Sequence, residues 1–574
     1  MNADRLLQHF ERISEAPDAI ERLRRFILDL AVRGKLVEQD HKDEPASELL
    51  KRIHAEMSRV VTTGGARRGK PTVRFAPEDL PFPIPQGWQW SQLAEIGLIS
   101  PRNNADGASL ASFVPMTLIP AAYGIPHQHE VRPWSEFKTG YTHFAEGDVG
   151  LAKITPCYEN GKSTVFRGLK NGFGAGTTEL HIVRPLLINA DYVLLFLKCP
   201  HFIESGISRM TGTAGQKRVP TNYFAFSPFP LPPIPEQDRI VAKVDELMAL
   251  CDELEAAKSE REQSRDRLVR ASLQRLNQAD DEDESFGEHA DFTLNHVPRL
   301  TVRVDHIKQL RQTILNLAVR GKLVPQDSTE EPASALHGRL IAEIGSFAAE
   351  SGIATPRVNP VTEQAVPFAA PPGWIWARLA SMFRVITDGD HQPPPRSESG
   401  VAFLTIGNVT TGHLDFSNCR FVTEDYFDAI APHRRPTKGD FLYTVVGATY
   451  GRPALVETDR PFCVQRHIGI LKPTSEIDLG YLHLLLSSPL IYGQATRSLT
   501  GTAQPTIPLR PLRNFLAPLP PLAEQHRIVA KVDELMALCG RLEARLISTE
   551  ADSRRLLEAV LHEALTAPTL AEAA

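Results

Sequence analysis

The sequence lacks any apolar run near the ~18–20 residues that a membrane-crossing helix needs; the stretch Tyr192–Leu197 is far too short. Its start, Met1-Asn2-Ala3-Asp4-Arg5, does not have the charged-then-apolar pattern of a secretory signal. Cysteine is scarce, with six in 574 residues at 157, 199, 251, 419, 463 and 539 and no CxxC spacing. This argues against a disulfide framework and a structural zinc and leads us to expect a reduced, cytoplasmic chain without membrane contact. There is no excess of positive charge either: 63 Lys and Arg stand against 69 Asp and Glu, a net charge of -6. That excludes a uniformly basic coat for nucleic acid but leaves room for a locally basic face.

Catalytic motifs are missing as well. Glu159-Asn160-Gly161-Lys162-Ser163 ends like a phosphate-binding loop, but Pro156 stands where the first glycine is required. Gly172-Phe173-Gly174-Ala175-Gly176 misses the dinucleotide spacing because Thr177 replaces the last glycine. His391-Gln392-Pro393-Pro394-Pro395 has neither the Asn nor the aromatic of an adenine-methylating tetrad. Asp148 and Lys153 lack a second acid at matched spacing for a nuclease, and Asp388-Gly389-Asp390-His391 reads as a turn rather than a metal site. We therefore expect no catalytic residue and no metal. With 42% apolar residues the chain can still bury sizeable cores, and its length alone would suggest about three to five domains.

What the chain does have is a copy of itself. Leu30–Val37 (LAVRGKLV) recurs unchanged at Leu317–Val324, Gly87-Trp88-Gln89-Trp90 returns as Gly373-Trp374-Ile375-Trp376, and Thr211-Gly212-Thr213-Ala214 returns at Thr500–Ala503. Glu236–Cys251 returns at Glu524–Cys539 with one difference, Asp238 against His526. A nearly constant offset of about 287 residues is half the chain and far too long for a solenoid repeat. The chain is a tandem duplication with pseudo-twofold character. The stretches near 95–210 and 380–495 match only at scattered positions, so a common scaffold carries two diverged domains.

In the scaffold, Ile20, Leu23, Ile27 and Leu30 step at helical spacing, as do Ile307, Leu310, Ile314 and Leu317. Gly34 and Gly321 fit helix C-termini, and Pro45 and Pro332 fit the first turn of a second helix. After Pro235, Ile240, Val244, Leu247, Cys251 and Leu254 follow a heptad rhythm that Ile528, Val532, Leu535, Cys539 and Leu542 repeat. The first such helix is expected from Gln237 to about Asn277, a rod of about 60 Å at 1.5 Å per residue. The spacing predicts that the two long helices form an intramolecular antiparallel coiled coil. Pro-rich joins flank the diverged domains, and Asp280–Glu284 is a like-charge linker. The expected organisation is a helical region at 1–80, a first mixed α+β domain at 81–235, a long helix at 236–278, a linker at 279–304, a second helical region at 305–366, a second α+β domain at 367–522 and a long helix at 523–574.

The charge is unevenly spread. Residues 81–235 hold 12 basic against 10 acidic side chains and residues 367–522 hold 14 against 12, so the acidity lies in the scaffold. The loops TGTAGQKRVP (Thr211–Pro220) and TGTAQPTIP (Thr500–Pro508) combine small residues with amides or cations that suit phosphate or base edges. A packing role would explain their recurrence equally well.

This organisation resembles the DNA-specificity (S) subunit of type I restriction–modification systems. The resemblance spans nearly the whole chain and rests on Leu231–Cys251 and its copy Leu519–Cys539, the LAVRGKLV segments, the Gly-Trp-x-Trp entries and the TGTA loops. It implies two target recognition domains, each reading half of a bipartite double-stranded DNA site, with the long helices as spacer. It also implies two methyltransferase (modification) subunits that methylate adenine N6, and motor–nuclease restriction subunits. S-adenosylmethionine, ATP and Mg²⁺ would then bind those partners, and no cofactor this chain. DNA contact is carried over regionally. The candidates are Lys153, Lys162, Ser163, Thr177, Thr178, Gln216, Lys217 and Arg218 in the first domain, and His391, Arg396, Asn408, Thr449, Gln504 and Thr506 in the second. A self-contained DNA-modifying enzyme would instead bind S-adenosylmethionine by itself, and a coiled-coil assembly scaffold would not bind DNA at all.

Overall fold

Helix α1 (Ala19–Val32) forms on the apolar stripe noted above and stops at Gly34. Gly34 adopts φ +66°, and a Cβ there would stand 2.3 Å from Pro85 Cγ. Only glycine meets both the left-handed turn and the close approach. Gly321 repeats this, at φ +68° and 2.7 Å from Pro371 Cγ.

A computed structural model of the chain describes residues 16–62, 74–278, 290, 292–293, 296, 301–390, 394, 397–410, 412–501 and 504–566. The acidic stretch at 280–284, His391 and Arg396 lie outside these. The chain divides into two compact units, Met1–Arg261 with Thr549–Ala574, and Glu262–Ser548.

In the first unit α1 is followed by α2 (Ala46–Thr62), β1 (Gln89–Ser91), α3 (Leu93–Ile96), β2 (Gly97–Ile99), β3 (Leu110–Val114), β4 (Glu130–Pro133), β5 (Thr142–Ala145), β6 (Val149–Ala152), β7 (Ser163–Val165), β8 (Phe173–Gly176) and β9 (Leu180–Pro185). Then come α4 (Ala190–Lys198), α5 (Pro200–Ile207), α6 (Thr221–Phe226), β10 (Phe229–Leu231) and the long α7 (Ile234–Gln278), whose last part belongs to the second unit. The second unit continues with α8 (Val304–Val319), α9 (Ala333–Ser351), β11 (Ile375–Arg378), β12 (Phe383–Asp388), β13 (Val401–Leu404), β14 (Arg420–Val422), α10 (Glu424–Ala429), β15 (Phe441–Thr444), β16 (Pro453–Leu455), β17 (Phe462–Val464) and β18 (Ile468–Pro473). It ends with α11 (Leu479–Ser487), α12 (Pro489–Arg497), α13 (Leu509–Arg513), β19 (Leu516–Leu519) and the first part of the long α14 (Leu522–Thr566).

The diverged domains share one strand plan, except that β5 has no counterpart among the described residues of the second. An antiparallel sheet runs β2-β9-β6-β7 in the first and β12-β18-β15-β16 in the second. A second sheet runs β4-β3-β8-β5 or β14-β13-β17, with β3 parallel to β8 and β13 parallel to β17. A two-stranded neck, β1 with β10 or β11 with β19, pairs the Gly-Trp-x-Trp entry with the Pro-rich exit: Trp90 lies opposite Pro230, and Trp376 opposite Pro518. Each domain thus begins and ends at the same place, on the scaffold.

The near-identity of the two scaffold copies has a bonding reason. Gln237 accepts from Asn189 N at 2.9 Å and donates to Pro232 O at 2.9 Å; Gln525 accepts from Asp478 N at 3.0 Å and donates to Pro520 O at 3.0 Å. The Tyr192 hydroxyl donates to Pro230 O, and that of Tyr481 to Pro518 O. Glu236 and Glu524, each 1% exposed, accept from Gln39 and Gln326 at 3.1 Å, and burial pushes both carboxyls up. Buried polar groups must be satisfied, and here the same residues satisfy them twice.

Within the first unit, Gln39 to Glu236, Arg239 to Asp43 and Arg24 to Asp252 set the start of α7 antiparallel to α1. Arg554 to Asp18 and Lys35 to Leu565 O set the end of α14 parallel to it. In the second unit, Asp266 to His306 and Asn277 to Thr313 set the end of α7 parallel to α8, while Glu524 to Gln326 and Glu543 to Arg311 set the start of α14 antiparallel to it. The long-helix segments therefore run antiparallel within each unit, with a short helix bonded to both. Ile240, Val244, Leu247 and Cys251 pack in one core with Ile27, Leu28, Ala31 and Val32; Ile528, Val532, Leu535, Cys539 and Leu542 pack with Ile307, Leu310 and Ile314. The heptad seam meets the short helix of its own unit, a partner that spacing alone does not specify. Leu254 is 42% exposed and lies off this seam.

Candidate nucleic-acid interface

In the first unit three loops converge where β6 ends and β9 begins: the β6 exit (153–155), the β8–β9 turn (177–179) and the TGTA loop (211–218). Five backbone hydrogen bonds tie and close them. Lys153 N donates to Glu179 O at 2.9 Å, Val219 N to Lys153 O at 2.8 Å and Thr155 N to Lys217 O at 3.0 Å, while Thr211 and Arg218 exchange bonds of 3.0 and 2.8 Å. The second unit repeats the plan with 445–447, 465–467 and 500–506. Val445 N donates to His467 O at 3.1 Å, Ile507 N to Val445 O at 2.7 Å and Gly447 N to Pro505 O at 2.9 Å, and Thr500 and Thr506 exchange bonds of 2.9 Å. The matching bonds align Lys153 with Val445, Glu179 with His467, Gln216 with Gln504, Lys217 with Pro505 and Arg218 with Thr506.

Side chains on this frame differ. Gln216 and Lys217 are exposed. Arg218 forks onto Glu179 at 2.8 and 2.9 Å, and its guanidinium holds the Glu179 carboxyl below the usual range. Arg218 is thus a brace for the loop as well as a cation. Beneath it, His181 is 3% exposed, its Nε2 lies 3.0 Å from Val219 O, and burial pushes its pKa down to about 4. In the second cluster Gln504 and Arg466 are exposed, Thr449 O accepts from Thr444 Oγ1 at 2.7 Å, and Thr506 Oγ1 donates to Gln504 O at 3.1 Å.

The two clusters bring together Lys153, Thr177, Thr178, Gln216, Lys217 and Arg218, and Thr449, Gln504 and Thr506. Other candidates are corrected. Ser163 is 1% exposed and donates to Gly161 O. Lys162 donates to Met116 O at 3.1 Å. Asn408 is 7% exposed, accepting from Thr405 N at 2.8 Å and donating to Asp415 O at 2.9 Å. Ser163 and Asn408 are thus spent on internal bonds, while the partly buried Lys162 commits one of its three donors. His391 and Arg396 lie outside the described residues. Glu179, Arg466 and His467 were missed because only sheet pairing brings the β8–β9 and β17–β18 turns to the TGTA loops.

The acids weighed for catalysis have structural partners. Asp148 is fully buried and forked by Arg184 at 2.8 and 2.9 Å; its counterpart Asp440 pairs with buried Lys472. Asp388 accepts from Arg434 at 2.7 Å, and Asp390 from the Tyr426 hydroxyl at 2.6 Å. Among the described residues no cluster of three or more potential ligands could hold a metal, and no helix is long and apolar enough to cross a membrane.

A family model for the type I restriction modification DNA specificity domain matches residues 397–549. The HsdS subunit from Thermoanaerobacter tengcongensis matches with a TM-score of 0.45 and 20% identity, covering 84% of this chain and 98% of that one. The type I restriction enzyme EcoEI specificity subunit of Escherichia coli is 37% identical over 561 residues, covering 95% of this chain and 94% of that protein. The EcoAI specificity subunit of Escherichia coli is 36% identical over 555 residues, again covering 95% of this chain and 94% of that protein. At that identity over nearly the full length of both proteins, the chain belongs to the family of type I restriction enzyme specificity subunits.

Proposed function

We propose that this chain reads a bipartite, interrupted double-stranded DNA site, one half with each diverged domain, and positions two adenine-N6 methyltransferase subunits on its duplicated scaffold. The observation that carries this reading is the pair of loop clusters: one backbone hydrogen-bond plan with two different sets of exposed side chains. A fixed frame with exchangeable tips suits reading two unlike half-sites, with cations for phosphate and amides for base edges. The near-identical scaffold copies would offer equivalent seats to two copies of one partner. The chain would contribute no catalytic group and hold no cofactor. S-adenosylmethionine would be used by the modification subunits, and ATP with Mg²⁺ by motor–nuclease restriction subunits, all in the cytoplasm.

Base-modification mapping of DNA from cells with and without the gene tests this reading. An interrupted adenine-methylation motif should depend on the gene, and exchanging residues 81–235 should change one half of that motif only. A motif that persists without the gene, or an exchange that alters both halves, would contradict it.

A further inference from the structure

The second loop cluster carries three tyrosines: Tyr450 matches the buried Tyr158 of the first unit, whereas Tyr443 and Tyr492 have no tyrosine at the matching place. Tyr450, on the β15 exit loop, stacks on Tyr492 of α12 with ring planes 3° apart and centroids 5.4 Å apart. Tyr492 is 47% exposed, and the Tyr450 hydroxyl lies 3.0 Å from Thr496 Oγ1. Below them Tyr443 of β15 is fully buried, and its hydroxyl has no hydrogen-bond partner among the described residues. Gly451 sits between, at φ +80°; a Cβ there would stand 3.1 Å from the Tyr492 ring and 3.6 Å from the Tyr443 hydroxyl. Glycine is what allows this loop to close onto the rings.

Strand pairing identifies the first unit's equivalents. Tyr443 lies opposite Gly469 as Leu151 lies opposite His181. The helices begun by Pro489 and Pro200 place Ile203 where Tyr492 stands, and Leu151 and Ile203 are both buried. The first cluster therefore presents cations, and the second presents a half-exposed aromatic face with Arg452 near Tyr492 and with Gln504 and Arg466 exposed on the neighbouring loops. A half-exposed tyrosine pair gives a rigid surface with a polar edge, suited to the thymine methyl and deoxyribose surface of a duplex.

Resting on the DNA reading above, we propose that Tyr492, backed by Tyr450, is a specificity-determining contact of the second domain, packing its ring against the second half-site. Binding of the full chain with its modification subunits to a duplex carrying the mapped motif tests this. Tyr492→Ala should weaken specific binding about tenfold and shrink the penalty for base changes in the second half-site. It should leave the first half-site's penalties and the salt dependence unchanged, because no charge is removed. Tyr492→Phe, which keeps the ring, should stay within about threefold of wild type, and Arg466→Gln should instead make the salt dependence shallower by about one phosphate. If Tyr492→Ala binds with wild-type affinity and penalties, or loses both half-sites equally, the contact is disproved while the DNA reading stands. If the wild-type complex does not prefer the motif over a scrambled duplex, the DNA reading itself falls, and this inference with it.

Discussion

The two loop clusters make the same backbone bonds with different side chains. Lys153 faces Val445 in the comparison, Lys217 faces Pro505, and the Arg218–Glu179 brace faces Thr506 and His467. Backbone N–H and C=O groups are common to all residues except for proline's missing donor, so a frame built from them does not depend on which side chains it carries. That separates position from preference: the frame sets where a tip lies, and the side chains set what it can touch. The same separation operates inside the sheets, where Asp148 with Arg184 and Asp440 with Lys472 keep a buried acid paired with a cation while the cation changes.

The largest effects should come from breaking these pairs. Removing the cation leaves a carboxylate buried and unpaired, which typically costs ~3–5 kcal/mol. Lys472→Ala should lie at the upper end, because both partners are under a tenth exposed. Arg184→Ala should lie at the lower end, because the Arg184 side chain is 30% exposed and water can reach into its place. Hydrogen exchange of β6 and β15 amides in the full chain would measure each loss in its own unit. Wild-type protection in either variant would show that the pair does not hold its sheet.

Acid sensitivity should separate the two units next. His181 lies opposite Leu151, whereas the matching position in the second unit is Gly469, opposite Tyr443. The His181 pKa is pushed from the ordinary 6.5 to about 4 by burial. The folded state therefore binds fewer protons than the unfolded state between those values. The contribution is whole above pH 6.5 and falls as pH drops towards 4, by about 3.5 kcal/mol at ~1.4 kcal/mol per pH unit. The pH dependence of protection in the first unit should flatten in His181→Gln over that window. An unchanged slope would show that the ring protonates without opening the structure.

Much of this was legible in the sequence because duplication supplies its own comparison. Glu236-Gln237 and Glu524-Gln525 recur because each makes the same buried bonds, and Gly34 and Gly321 recur because each touches a proline ring. The loop clusters were only half legible. TGTA marks one loop of three, and the other two reach it through strand pairing across tens of residues, as between Lys153, Glu179 and Arg218. Burial was not legible either: Ser163 and Asn408 are residue types that read as surface contacts, yet both are spent inside. The heptad rhythm gave the long helices but not the short helix that fills their seam, because periodicity identifies an apolar face and not its neighbour.

Helix caps should give a smaller and nearly equal effect in both units. Asn189 accepts from Asp191 N at 2.8 Å at the start of α4, and Asp478 accepts from Tyr481 N at 2.8 Å at the start of α11. Each cap is worth ~1 kcal/mol. Asn189→Ala should cost somewhat more than Asp478→Ala, because Asn189 Nδ2 also donates to Asp238 at 2.8 Å, whereas the matching contact of Asp478, to His526, is longer at 3.5 Å. Calorimetric unfolding of the two variants should show this order. The reverse order would mean that the Asn189–Asp238 bond adds nothing in solution.

Lys217→Gln should have the least effect on folding and still alter binding. Its side chain is exposed on the TGTA loop, and the loop is held by the Lys217 carbonyl, which accepts from Thr155 N at 3.0 Å whatever the side chain. Stability should change by no more than about 0.5 kcal/mol, as for other surface positions. If Lys217 meets a phosphate, removing its charge lowers the slope of log affinity against log salt by about one and weakens binding uniformly across sequences. Pro505 occupies the matching place in the second cluster and has no charge to lose, so Pro505→Ala should leave the slope alone. A Lys217→Gln slope equal to wild type would mean that Lys217 faces solvent in the complex. The cationic character of the first cluster would then rest on Lys153 and the braced Arg218, and the contrast with the second cluster would narrow to its tyrosines.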